Sequence, residues 1–250
     1  LETALKMPEN TTNENTLLLK NHLQKISVST ETTIALHTLG DSLRVVGNFS
    51  QAEIVLQQSL TAAKQLNLPD IVTLSQLALG NTLRAQINQD KPGNNTINSQ
   101  SAQTALKYYQ QAATSESENF QVLSQVNQLS LLVDINQIDQ AKSLIEQAKQ
   151  KIDTLPPSRS SIEIRLHLAH AMMQINKQNN TVPIREIADN LAVAVKQAKE
   201  LSHPRLQADA LIGLGNMYEQ SQQWQESETL TREALQLAQQ ANANDIIYRS

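Results

Sequence analysis

The sequence predicts an all-α protein, a right-handed solenoid of about five helical hairpins with expanded turns. Three observations carry that expectation. Aromatic residues make up 3% of the chain and Gly and Pro number 6 and 7, while Ala, Leu and Gln fill long stretches, a composition that favours helix. Apolar residues recur at i, i+3, i+4 and i+7, the period of a helix with one buried face. The pattern also returns in register: Gly40 to Ser59 and Gly215 to Ala234 both span 19 residues.

Taken in order, residues 1–30 form an N-terminal covering segment, in which "ENTLLLKNHLQKI" predicts a helix over the open apolar face of the first unit. Unit one, 31–67, holds Leu36, Leu39, Gly40 and Leu43 on its first helix. Gly47, Phe49, Ala52, Leu56 and Ser59 follow in the second half of the unit. Unit two, 70–115, supplies Leu79, Gly80 and Leu83, then Ala105, Tyr109 and Ala112 after a polar insertion. Unit three, 117–153, has Leu129 where the glycine would stand, followed by Leu132, Ala141, Ile145 and Ala148. Unit four, 160–201, pairs Leu168, Ala169 and Met172 with Leu191, Val195 and Ala198. Unit five, 205–241, has Leu211, Leu214, Gly215 and Tyr218, then Trp224, Ser227, Thr231 and Ala234. Residues 242–250 open a further helix. Phe49 and Trp224 both follow their glycine by nine residues, where a large ring would plug the turn side of the hairpin.

Breaks between helices are read from turn chemistry. "QINQDKPGNNTINSQ" (86–100) and "NKQNNTVP" (176–183) are expected as surface loops, with Pro183 in the first turn of the next helix. "DTLPPSRSS" (153–161) ends one helix and offers Ser158, Ser160 or Ser161 as the next N-cap.

Small residues that let two antiparallel helices approach at this spacing resemble the tetratricopeptide signature. At the level of words, "LGDSLRVVGNFSQAEIVLQQSL", "LALGNTLRAQ", "ALKYYQQAA", "NQLSLLVD", "LPPSRSSI" and "YEQSQQWQESETLTREALQLAQQANANDIIYRS" resemble the tetratricopeptide region of cyanobacterial proteins that carry a C-terminal CHAT domain. The resemblance implies a scaffold or regulatory arm of a caspase-like protein. The chain has no cysteine, so it cannot carry that domain's nucleophile. The opening lacks an initiator Met and the last residues begin a helix, which reads as a fragment of a longer protein.

Composition sets other bounds. A net charge of −4 with pI near 5.8 gives no general attraction to nucleic acid or anionic membrane. No apolar run approaches the roughly 18 residues of a transmembrane helix. Location is left open, with the cytoplasm favoured over export. No enzyme and no cofactor are expected. "GLGN" lies inside a helix-period pattern and fails the strand–turn–helix context of a phosphate loop. Glu163, His167 and His170 share a helical face at i, i+4 and i+7 and are the best metal candidate, but they lack a fourth ligand, so polar residues of a repeat helix are the preferred reading.

Function is therefore sought on a surface. In stacked hairpins the first helices line a concave groove, and the stripe opposite the hairpin contacts picks His37, Asp41, Arg44, Asn81, Arg84, His170, Asn216 and Glu219 as peptide-binding candidates. Asn81 and Asn216 suit hydrogen bonding to an extended peptide backbone. Arg44 and Arg84 stand at equivalent positions and either face a ligand carboxylate or pair internally, Arg44 with Asp41 at i, i+3. The expected partner is a protein or peptide, the protein's own further domain included. The alternative is an assembly element stacking through its terminal repeats.

Overall fold

A computed structural model describes residues 17–23, 25–89, 95–179 and 181–248, with side chains at all of these except 95–99, 178 and 179. Among the described residues every regular element is a helix and there is no strand. The helices are α1 (17–23), α2 (Thr30–Val45), α3 (Phe49–Gln65), α4 (Pro69–Gln89), α5 (Asn95–Ala112), α6 (Glu118–Asp134), α7 (Ile138–Thr154), α8 (Arg159–Asn179), α9 (Ile184–Glu200), α10 (Pro204–Gln220), α11 (Trp224–Gln240) and α12 (Asn244–Ile247). Helices pair in antiparallel hairpins, α2 with α3, α4 with α5, α6 with α7, α8 with α9 and α10 with α11. The chain divides into two compact units, Leu1–Glu116 and Ser117–Ser250.

The helices start and stop for local reasons. Ser29 caps α2 in a reciprocal box: its Oγ accepts from the Thr32 amide at 3.2 Å, and Thr32 Oγ1 accepts from the Ser29 amide at 3.0 Å. Of the three serines expected to cap α8, Ser158 does so, exchanging the same two bonds with Ser161 at 3.1 and 2.9 Å. His203 accepts from the Leu206 amide, with Pro204 opening α10.

Six helix ends share one turn. Gly47, Asn67, Asn136, Ser202, Gln222 and Asn242 all have φ between 52° and 85°. In each case the following amide reaches back to a carbonyl in the last helical turn: Asn48 to Leu43, Leu68 to Ala63, Gln137 to Leu132, His203 to Ala198, Gln223 to Tyr218 and Ala243 to Ala238, all at 2.8–2.9 Å. This left-handed cap satisfies carbonyls that a helix end otherwise leaves bare. Of the six only Gly47 is a glycine, so Asn, Ser and Gln leave the turn unmarked in the sequence.

Inside each unit the contacts follow the small residues. A Cβ on Gly40 would lie 2.5 Å from Leu56 Cγ, and one on Gly80 2.5 Å from the Tyr109 ring. Both partners are fully buried, so the glycines are what permit α2 to meet α3 and α4 to meet α5. Ser59 Oγ donates to the Thr33 carbonyl at 3.0 Å and lies 3.1 Å from Ser75 Oγ, pinning α3 between α2 and α4. In the second unit a buried guanidinium ties three helices. Arg165 of α8 donates to Asn190 Oδ1 of α9 at 3.0 Å and to Asp153 Oδ1 of α7 at 2.9 Å, while Asn190 returns a bond to the Arg165 carbonyl. A buried charge needs such partners.

Five expectations are corrected. The 86–100 segment is mostly helical: α4 runs to Gln89 and α5 begins at Asn95, and residues 90–94 lie outside the described residues. Likewise α8 continues to Asn179 through the segment expected as a loop, and Pro183 is the N-cap of α9, not its first turn. Both helices outrun their polar sequence because Asn and Gln only weakly disfavour helix. Trp224 does not plug the turn; it is 60% exposed, because it stands at the first position of α11 and its side chain points back past the helix start, where no preceding helical turn lies beneath it. Leu39, assigned to the packing face, is 47% exposed.

Candidate functional site

Five of the eight candidate residues lie in the first unit. His37, Asp41 and Arg44 project from α2, and Asn81 and Arg84 from α4, and these two helices contact one another. The other three lie in the second unit, His170 on α8 and Asn216 and Glu219 on α10, which also touch.

Arg44 is engaged within its own helix. Its Nε lies 2.9 Å and its Nη2 2.8 Å from Asp41 Oδ1, the internal pair that the i, i+3 spacing allowed. The guanidinium therefore meets a ligand only by sharing or releasing Asp41. His37 sits one turn earlier, half-buried, with a buried Nδ1 that has no hydrogen-bond partner. Burial lowers its pKa below the usual histidine value of 6.5, and the Asp41 carboxylate only partly opposes this. Neutral His37 and a paired Arg44 leave the α2 stripe less cationic than its residue types suggest.

Asn81 is held from below. The Tyr109 hydroxyl donates to Asn81 Oδ1 at 2.8 Å, which fixes the amide and leaves its Nδ2 as a donor pointing away from that bond. The same ring fills the space over Gly80, so packing and positioning come from one side chain. Arg84 is half-buried one turn further on. In the second unit His170 is half-buried, whereas Asn216 and Glu219 are exposed.

The metal candidate does not assemble. Among the described residues no three metal-ligating side chains converge, and Glu163 instead accepts from Arg159 Nε at 2.8 Å. No described helix is long and apolar enough to cross a membrane.

What the geometry defines is a class: an all-α protein of antiparallel helical hairpins, a tetratricopeptide-like solenoid. Residues 210–243, covering most of α10, all of α11 and the turns beside them, match the tetratricopeptide repeat family. Among curated proteins none matches the chain.

Proposed function

We propose that this chain is a protein–protein interaction scaffold that holds a peptide or protein partner along the faces of its first helices. The observation that carries the reading is the hairpin repeat itself, matched to the tetratricopeptide family at 210–243 and sharing one turn geometry at six helix ends. Stacked repeats of this kind offer extended surfaces suited to partners. No catalytic step is assigned to any residue here.

The finer reading treats residues 1–250 as a single solenoid, with units near 31–67, 70–115, 117–153, 160–201 and 205–241. It forms the recognition arm of a longer CHAT-type protein and binds an acidic or C-terminal peptide, its own effector domain among the candidates. Support comes from the sequence words, from the amide donor that Tyr109 fixes at Asn81, and from Arg44 and Arg84 on adjoining helices.

The test is the double change Arg44→Ala plus Arg84→Ala in the full protein, with partner capture followed across a salt series. Capture should fall in the variant, and wild-type capture should weaken with salt, since exposed ion pairs are screened over about 8 Å at physiological ionic strength. Equal affinity of the two proteins at every salt concentration overturns the arginine site.

A further inference from the structure

Within the second unit an open cleft of about 350 Å³ lies between α7 and α9, with Arg165 of α8 at its base. Lys149 and Asp153 reach it from one face of α7, four residues apart. Arg185, Asp189 and Val193 follow at the same spacing on α9. The two helices are bridged by Lys149 Nζ and Glu186 Oε1 at 2.7 Å.

The base of the cleft is a buried charge that is one bond short. Arg165 is 5% exposed. Its Nη1 donates to Asn190 and its Nη2 to Asp153 and the Ile152 carbonyl, while Nε is buried and has no hydrogen-bond partner. An idle donor on an interior guanidinium gains from an acceptor brought to it. A second feature points the same way. Pro183 caps α9 without a side-chain bond, so the first amides of that helix open beside the cleft and favour a negative group.

The mouth holds charges with capacity to spare. Lys149 has Glu186 at 2.7 Å and Glu146 at 3.6 Å, which leaves its third ammonium donor unspent. Arg185 and Asp189 stand 3.9 Å apart with side chains 92% and 75% exposed, so each can turn to a ligand. The signs balance: Lys149, Arg165 and Arg185 stand against Asp153, Glu186 and Asp189. A lone anion or cation would meet as much repulsion as attraction in so small a space. A molecule carrying both charges a few bonds apart meets only attraction. Pro183 and Val193 supply the apolar part of the lining.

We propose that this cleft binds a free aliphatic α-amino acid as its zwitterion. The carboxylate lies at the first turn of α9 between Lys149 and Arg185, the ammonium meets Asp153 and Asp189, and the side chain rests on Pro183 and Val193. The site goes beyond the groove of the first helices and does not depend on Arg44 or Arg84.

L-Leucine is the probe, titrated into the whole 250-residue chain by isothermal calorimetry, with N-acetyl-L-leucine and L-leucinamide as analogues lacking one charge each. Saturable binding of L-leucine is expected, with each analogue about tenfold weaker because a charge-assisted bond is lost. Arg185→Gln and Asp189→Asn should each weaken L-leucine about threefold, the effect of a solvent-screened charge. Both positions are exposed, and circular dichroism confirms that the variants are folded. Arg44→Ala plus Arg84→Ala should leave the titration unchanged. Heat that never saturates overturns the proposal. So does equal affinity for either analogue, or wild-type affinity in either cleft variant. A weaker titration in the arginine double variant would place the amino acid in the first unit and overturns it too.

Discussion

Hairpins α2/α3 and α10/α11 stand in the same register. Gly40 and Gly215 occupy one position, Phe49 and Trp224 another, and both hairpins turn through a left-handed residue, Gly47 with φ 85° and Gln222 with φ 60°. They differ where side chains meet solvent or each other. Leu56 presses against Gly40 where the smaller Thr231 meets Gly215. Phe49 is half-buried and Trp224 exposed. One turn from each glycine, Arg44 pairs with Asp41 in the first hairpin, while exposed Glu219 and Asn216 hold the equivalent places in the last. The backbone repeats because a few small residues and one turn impose it; the surface is free to diverge because no packing depends on it.

The largest test of that comparison is the pair of glycines. Gly40→Ala would set a Cβ 2.5 Å from Leu56 Cγ and 3.2 Å from the Leu56 backbone nitrogen, so one of the helices must shift. A loss of roughly 2–3 kcal/mol is expected from overpacking. Gly215→Ala brings a Cβ to 3.0 Å from Thr231 Oγ1, a rotatable hydroxyl, with the Ser227 carbonyl oxygen and Leu230 Cβ at ordinary contact distances of 3.5 and 3.8 Å, and gains about 1 kcal/mol of helix propensity, so it should be close to neutral. Thermal melts followed by circular dichroism compare the two. Equal losses would mean that the hairpins pack alike after all, and that Gly215 is as tight as Gly40.

An exchange at the turns comes next. A Cβ on Gly47 meets nothing within 4 Å, so Gly47→Gln tests backbone strain alone. It should cost about 1–2 kcal/mol, and Gln222→Gly should return a similar amount by relieving the left-handed conformation. If both swaps leave the melting temperature unmoved, the shared turn is not under the strain its φ values imply.

The smallest effect separates the hairpins by pH. Burial depresses the pKa of His37 below 6.5, so as pH falls the unfolded chain takes up this proton before the folded one. Stability should decline just below about pH 6.5 and level off once the folded value is passed. In His37→Gln that decline should be shallower, measured by urea titrations at stepped pH. A variant whose pH profile overlays the wild type would show that His37 gains or loses its proton equally in both states.

Much of the fold was legible because its determinants are local. The glycine-to-small-residue spacing named the helices that meet, and Leu211 and Gly215 named the face of α10 that packs. Helix ends were less legible. Polar Asn and Gln runs at 86–89 and 176–179 look like loops, yet they continue a helix once its preceding turns are packed. The polar network around the candidate residues was not legible. That Tyr109 of another helix would grip Asn81, or that Arg165 would be buried against Asn190, depends on residues 25 or more positions away. Long-range polar pairing leaves no periodic trace.

Trp224 is the single tryptophan of the chain, and most of its surface already lies in water. Its emission in the native protein is therefore close to that of a free indole, and unfolding will move it little while the helical signal collapses. The fluorophore is nearly blind to global stability. A blue shift in the native protein would report something laid over the first turn of α11, which makes the last hairpin its own optical sensor of contact.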